Sequence, residues 1–261
     1  MDKKILFFDI DGTILSHRTF QVSDSTKRAI QQAQMNGHVV MINSGRVDSF
    51  IDQTVRELGF DGFILGCGTH IIYQDKELFH TELSKDIIPS LIFDLRKLGI
   101  EAVLEGSNSV YYDYNSISPV VLNLIEYQKK HQFAAGDWED PDISFDKFCI
   151  WPGDEEKTNQ FYDKYKEVFD FIKRDGHFYE IVPKGLSKAS GIEFMIKHLG
   201  IPYENTYAFG DGENDLPMLT YAKHSIAMGN APQAIKDVVT YVTEDVDHHG
   251  IEHALKHFKL I

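Results

Sequence analysis

Four groups of residues in this sequence have the types and spacing that chemistry requires. Asp9-Ile10-Asp11-Gly12-Thr13 sets two carboxylates two positions apart, directly after the apolar run Ile5–Phe8. Ser44-Gly45-Arg46 follows a second apolar run, Lys188 follows Ser187, and Gly210-Asp211-Gly212-Glu213-Asn214-Asp215 follows a third run. If extended geometry persists past Phe8, the period of two points Asp9 and Asp11 to the same side. Gly12 permits a tight turn and close approach of a ligand to the backbone. Carboxylates converging from separate strand ends repel one another unless a cation lies among them. Hard oxygen donors suit Mg²⁺, which takes one or two carboxylates and keeps sites for water or phosphate oxygens. Ser44 then offers a hydroxyl, and Lys188 a positive charge, to a phosphate. Taken singly, each group has a plainer reading: an Asp-Gly turn with a spare acid, a serine N-cap, a solvated lysine. A lysine in a first helical turn is disfavoured by the macrodipole, however, which hints at an anionic partner.

The surrounding pattern supplies elements to position these groups. Ile5–Phe8 reads as a strand buried on both faces, the kind found in parallel sheets. Ser23 is placed to cap a helix that Gly37 ends, and 38–42 is a second buried strand. A further amphipathic helix is expected to start at Ser44, to bury Val47, Phe50, Ile51, Val55 and Leu58, and to stop at Gly59; its N-terminus would attract an anion. Strands follow at 63–65, 71–73 and 78–80. From Leu83 the rhythm changes to a helix ending at Gly99, strands at 101–104 and 109–112, a helix over 119–131, an acidic loop over 136–142, a strand at 147–151, a helix over 155–168, and a hairpin of 170–174 with 177–182. From Ser187 the α/β alternation resumes, with a helix closed by Gly200, strands at 206–209, 225–228 and 241–242, a short helix over 216–221, another opened by Pro232, and a last one bearing Ile251, Leu255 and Phe258. The expected fold class is α/β: a Rossmann-like parallel-sheet core formed by 1–82 and 187–261, with an inserted α+β domain over 83–186.

Composition narrows the partners. The 261 residues are 43% hydrophobic and 25% charged, which fits an ordinary globular chain with ample core. A formal net charge of -14 and the lack of a long Lys/Arg cluster weigh against nucleic acid. No apolar stretch approaches bilayer length, and the first strand begins too early for a signal peptide, so a cytoplasmic protein without a membrane partner is expected. Cys67 and Cys149 are too few and too separated for a disulfide framework and read as free thiols. His248, His249 and His253 read as surface residues of the last helix.

The four groups, in this order, resemble the motifs of the haloacid dehalogenase (HAD) superfamily, and the chain is most similar to its Cof-type phosphatases with a class IIB cap. Asp9-Ile10-Asp11-Gly12-Thr13 resembles the first motif, Ser44-Gly45-Arg46 the second, Lys188 the third and Gly210–Asp215 the fourth. The Ala227-Met228-Gly229-Asn230-Ala231 stretch and the position of the insertion agree along essentially the whole chain. The resemblance implies hydrolysis of a small phosphomonoester through an aspartyl-phosphate. Asp9 would be the nucleophile, and Asp11 the acid that protonates the leaving oxygen and then activates water. Mg²⁺ would be held by Asp9, the Asp11 carbonyl and Asp211. Ser44, Gly45, Lys188 and Asn214 would hold the phosphoryl group, with Asp215, Gly12 and Asn230 in support; Asp215 would hold a metal-bound water or orient Lys188.

Several readings stay open at this level. Asn214 either contacts phosphate or braces its turn, and Arg46 is either a substrate contact or a structural ion pair. Lys184 lies near Lys188, but the motif spacing favours Lys188. Where many relatives have Asn-Gly-Ala, this chain has Cys67-Gly68-Thr69, which bears on the leaving group; nothing near Cys67 in sequence argues for a lowered pKa. The substrate would be a sugar phosphate or similar metabolite, contacted from loops such as 105–109 or 113–118. The alternatives are a sugar phosphomutase of the same cap class, disfavoured by the lack of an arginine cluster in the insertion, and a non-catalytic phosphometabolite sensor, disfavoured by the intact acids. A monomer or homodimer is expected.

Overall fold

The computed structural model describes residues 2–115, 118–174 and 178–261. β1 (Ile5–Phe8) is four apolar residues with no exposed surface, so both of its faces need cover. Leu6 and Phe8 pack into one core with Ala29, Ile30, Ile251 and Leu255, while Ile5 and Phe7 pack into another with Ile64, Ile192, Met195 and Met218. On one edge β1 pairs in parallel with β2 (Val39–Asn43), which pairs with β3 (Gly62–Leu65). Antiparallel β4 (His70–Tyr73) and β5 (Lys76–His80) finish that side.

The chain then builds a second sheet from β6 (Glu101–Glu105), β7 (Val110–Tyr112), β8 (Ala135–Asp137), β9 (Lys147–Trp151), β10 (Phe169–Arg174) and β11 (Phe178–Pro183), in the order β10-β11-β9-β6-β7-β8. It returns as β12 (Thr206–Gly210), parallel to the free edge of β1, followed by β13 (His224–Ala227) and β14 (Tyr241–Val242). The first sheet therefore has eight strands, β14-β13-β12-β1-β2-β3-β4-β5, with β1 inside it. The helices are α1 (Asp24–Met35), α2 (Gln53–Arg56), α3 (Ile88–Leu98), α4 (Pro119–His131), α5 (Glu155–Tyr165), α6 (Lys188–Leu199), α7 (Leu216–Tyr221), α8 (Gln233–Lys236) and α9 (Gly250–His257). α1 and α9 cover one face of the first sheet, α6 and α7 the other. In the second sheet Phe148, Ile150, Phe169 and Ile181 pack against α3 and α5, while Val103 and Tyr112 on the opposite face meet Val121 and Ile125 of α4.

The expected helix after Ser44 does not form. A 3-10 turn at Asp48–Phe50 is followed by extended Ile51 and Asp52, and only then by the four-residue α2. The cause is packing: Val47 and Phe50 join Val103, Tyr112 and Ile125 of the second sheet, whereas Ile51, Val55 and Leu58 join the core of the first. One straight helix cannot serve both. Smaller differences occur where α5 ends at Tyr165 and where β8 overlaps the start of the stretch expected to be an acidic loop. Residue 177, the expected start of the last hairpin strand, and residues 116 and 117 of the loop 113–118 lie outside the described residues.

α6 begins with a capping box: the Ser187 hydroxyl accepts from the Ser190 amide at 3.2 Å, and the Ser190 hydroxyl accepts from the Ser187 amide at 2.9 Å. Its second turn rests on β3 at Gly191, where an added Cβ would lie 2.5 Å from Ile64 Cγ2. Gly191→Val should therefore destabilise the protein by about 1–3 kcal/mol through overpacking, read as a lower urea midpoint with an unchanged slope. Among the described residues, no helix is long and apolar enough to cross a membrane.

Candidate active site

β12, β1 and β2 run parallel and adjacent, so the residues that follow them meet at one edge of the sheet, where open α/β sheets bind ligands. Asp211 follows β12, Asp9 and Asp11 follow β1, and Ser44 follows β2. Lys188, the first residue of α6, reaches into this edge with its side chain fully buried. Its Nζ donates to Asp9 Oδ1 and to Asp215 Oδ1, both at 2.6 Å. Asp215 Oδ2 accepts from the amides of Asp211 and Gly212, each at 2.9 Å, so both its oxygens are engaged by the protein. Asn43, which the motif pattern does not single out, donates to the Lys188 carbonyl at 2.9 Å and anchors the start of the helix.

Burial, then the charge of Asp215, push the Asp9 carboxyl up to about 8, with Lys188 opposing. Burial works against the Lys188 ammonium too, but Asp215 and Asp9 hold its pKa above the usual lysine value. The lysine's anionic partners are thus the protein's own acids. Asp211 lies close by, with carboxylate oxygens of Asp9, Asp211 and Asp215 within 4.8 Å of one another. Burial raises its carboxyl, and His17 beside it lowers it. Asn230 Nδ2 donates to Asp211 Oδ2 at 3.1 Å and to the Gly12 carbonyl at 2.8 Å, while its Oδ1 accepts from the Val246 amide at 3.0 Å. Asn230 therefore braces the turn and the acid together. Gly12 has φ +77°, and a Cβ there would lie 2.0 Å from Asp211 Oδ2, so only glycine admits that carboxylate.

Asp11 is engaged elsewhere. Arg46 grips it with a two-pronged contact, Nε to Oδ2 at 2.8 Å and Nη2 to Oδ1 at 2.7 Å, and donates from Nη1 to Asp52 Oδ2 at 2.7 Å and to the Phe50 carbonyl at 3.2 Å. Burial disfavours ionisation of Asp11, but the charge and hydrogen bonds of Arg46 keep its carboxyl below the usual range. Arg46 is therefore an ion-pair residue in this structure. The Asp11 side chain does not join the grouping of Asp9, Asp211 and Asp215, which leaves its carbonyl as the group it could offer a metal. Asp52 in turn meets α4, with His131 Nδ1 at 3.0 Å and the Tyr127 hydroxyl at 3.5 Å.

Ser44 is buried, and its Oγ accepts from the Arg46 amide at 3.2 Å, leaving the hydroxyl proton to donate. Because no helix starts there, no helix N-terminus contributes at this position. A Cβ on Gly45 would lie 3.4 Å from Asn214 Nδ2 and 2.7 Å from Glu180 Oε1, which brings the fourth motif and the second sheet together at Gly45. The groups facing the site from the second sheet come from its strands. Lys147 Nζ contacts Glu180 Oε1 at 2.8 Å and also pairs with Glu105, and Arg174 Nη1 lies 3.4 Å from Glu180 Oε2. Their signal in the sequence is the two-residue alternation: Lys147 and Cys149 alternate with Phe148 and Ile150, and Glu180 sits between Tyr179 and Ile181. Cys67 has φ 57° beside this cluster, and burial, then Glu180, push its thiol up, away from thiolate chemistry.

The model of the haloacid dehalogenase-like hydrolase family matches residues 6–255. The chain belongs to the haloacid dehalogenase-like hydrolases. YkrA of Bacillus subtilis (strain 168), whose name proposes a phosphatase, is 32% identical over 263 residues covering the whole of both chains. Among solved structures, BT1666 of Bacteroides thetaiotaomicron, described among phosphatases of this superfamily, superposes with TM-score 0.85 at 27% identity over 100% of this chain and 96% of its own. BT4131, described as a HAD subclass IIB sugar phosphatase, superposes with TM-score 0.83 at 27% identity over 99% of this chain and all of its own. For a HAD-like hydrolase the acidic edge is a fitting donor set for a hard divalent cation: Asp9, Asp211 and Asp215 bring carboxylate oxygens within 4.8 Å of one another beside a single lysine.

This electrostatic imbalance has a sign that can be measured. A carboxyl whose pKa is raised on folding binds a proton more tightly in the folded state, so stability falls as pH rises through the window between the two values. For Asp9 that window runs from about 4 to about 8. Chelator-treated protein should lose thermal stability as pH rises across it, Asp9→Asn should lack that component, and added Mg²⁺ should restore stability at the upper end.

Proposed function

We propose that this protein is a Mg²⁺-dependent phosphatase of small phosphomonoesters, of the sugar-phosphate class, working through an aspartyl-phosphate on Asp9. The observation behind this reading is the separation of two neighbouring acids into different environments, Asp9 on Lys188 and Asp11 on Arg46. Asp9, Asp211 and the Asp11 carbonyl would hold the Mg²⁺, which would supply positive charge that favours ionised Asp9 beside a phosphate. Asp9 attacks phosphorus and the bond from phosphorus to the ester oxygen breaks. Asp11 hands its proton to that oxygen, then takes one from the water that cleaves the bond between phosphorus and Asp9. For Asp11 to be protonated, Arg46 must exchange it for another anion, and the phosphate of an incoming ester is such an anion. Ser44 and Lys188 hold the transferring oxygens, where stabilising charge accounts for most of phosphoryl-transfer catalysis. Asp215 orients Lys188, and Asn214 with Gly45 borders the phosphate.

Residues 83–186 read as a cap over this edge, with Glu180, Arg174 and Lys147 placed to sort leaving groups. Lys147 pairs with Glu105 and shares Glu180 with Arg174, two cations to two carboxylates, so this face favours polar, hydroxyl-bearing groups over a second phosphate. Two free buried cysteines suit a reducing cytoplasm.

The test is a phosphomonoester panel with and without Mg²⁺. Turnover should require the ion, Asp9→Asn should show none, and Asp11→Asn should lose about 10²–10⁴-fold in kcat. Full activity in either variant would remove the acid from its role.

A further inference from the structure

Where the chain passes from the first sheet to the second, four polar side chains gather away from the candidate active site. His70 on β4 and His80 on β5 are directly paired across the strands, and their rings stack at 4.2 Å. From the second sheet come Ser107, in the turn between β6 and β7, and Asp146, just before β9 and fully buried. Three atoms from three segments aim at one point: His70 Nδ1, His80 Nε2 and Asp146 Oδ2 lie 3.2, 3.1 and 2.6 Å from the Ser107 hydroxyl oxygen. His80 Nε2 is also 3.1 Å from Asp146 Oδ1.

The charges in this cluster do not balance with neutral imidazoles. Asp146 and Glu77 bring two carboxylates. Glu77 Oε2 lies 3.0 Å from His70 Nε2 and 3.6 Å from His80 Nδ1, on the side of the rings away from Ser107. Each neutral ring has one N–H and one lone pair, and the single Ser107 hydroxyl proton can serve only one of the three atoms around it; His70 Nε2, though close to Glu77, is buried without a well-directed hydrogen bond.

We propose that His70, His80 and Asp146 form a second divalent-cation site, selective for a borderline metal such as Zn²⁺, that fastens the first sheet to the second. Two imidazole nitrogens and a carboxylate oxygen, with ligand atoms within 4.8 Å of one another, make a donor set suited to Zn²⁺ and poor for Mg²⁺. A cation at the point of convergence needs ligand distances of about 2.0–2.2 Å, so the three side chains draw in by about 1 Å while the Ser107 hydroxyl rotates aside and leaves the fourth position to water. Glu77, behind the imidazoles, then accepts from the ring N–H groups and fixes their tautomers. The site straddles the crossing: Thr81 N donates to the Thr69 carbonyl and Leu83 N to the Phe145 carbonyl, both at 2.9 Å, on either side of it.

The experiment is a calorimetric titration with Zn²⁺, and an optical titration with Co²⁺, of full-length protein held in excess Mg²⁺. Wild type should take up one equivalent, with the visible Co²⁺ absorption of a four-coordinate nitrogen–oxygen site, and uptake should weaken as pH falls and protons compete for the imidazoles. His70→Gln and His80→Gln should each weaken uptake by at least about tenfold, the lower end of what losing even an outer-shell partner costs. Ser107→Ala, which removes the hydroxyl and no proposed ligand, should retain it, as should Asp211→Asn at the acidic edge. No uptake by wild type, unchanged uptake in both histidine variants, or loss in Asp211→Asn would overturn the proposal.

Discussion

One ammonium group buried between two carboxylates organises this molecule. Removing a charged group from water costs several kcal/mol even after relaxation, and only close opposite charges offset it. Lys188 meets that condition because Asp9 and Asp215 are each 2.6 Å away, and neither acid can be moved without stranding the lysine. The geometry is in turn imposed by parts of the chain that carry no charge. β1 and β12 must be adjacent, and α6 must begin at Lys188. The backbone around Cys67 must also be left-handed over three successive residues, Gly66 to Gly68, so that it can close against Ser187. A Cβ on Gly68 would lie 2.6 Å from the Ser187 carbonyl, so the seat of α6 depends on a missing side chain in a distant turn.

The same edge holds its acids in two separate sets of ion-pair contacts. Asp9, Asp211 and Asp215 form one, rich in negative charge and bounded by Lys188. Asp11, Arg46 and Asp52 form the other, whose far end rests on Tyr127 and His131 of α4. Two carboxylates only two positions apart therefore titrate in opposite directions, Asp9 upward and Asp11 downward. A pair of acids meant for different work needs unequal surroundings.

Much of this was legible in the residue pattern, and the limits are physical. Continuous apolar runs announced buried parallel strands, and turn residues after them marked the edge where Asp9, Ser44 and Asp211 gather. Period alone could not show that the segment after Ser44 is divided between two cores, because Val47 and Ile51 look like one helical face until their different partners are known. Nor could it rank Lys147, Glu180 and Arg174, ordinary charged residues that matter only because the second sheet turns one face toward Gly45. Asn43 was invisible for the same reason: its work is one hydrogen bond to a backbone carbonyl 145 positions away. The pairing of His70 with His80 depends on strand register across a hairpin, and Asp146 joins them only through the tertiary fold.

The position of β1 inside the eight-stranded sheet also bears on the order of assembly. Its neighbour β2 is made soon after it, but its other neighbour, β12, begins only at Thr206. As the chain is synthesised, Ile5–Phe8 has one unpaired edge, flanked by apolar side chains on both faces, while the whole of the second sheet is produced. Such an edge is a template for pairing with the wrong strand. An insertion that collapses promptly on its own core shortens the effective gap that β12 must close, because a compact unit spans far less than the same residues as open coil. The second sheet thus has a part in the chain's passage to the folded state as well as in the finished molecule.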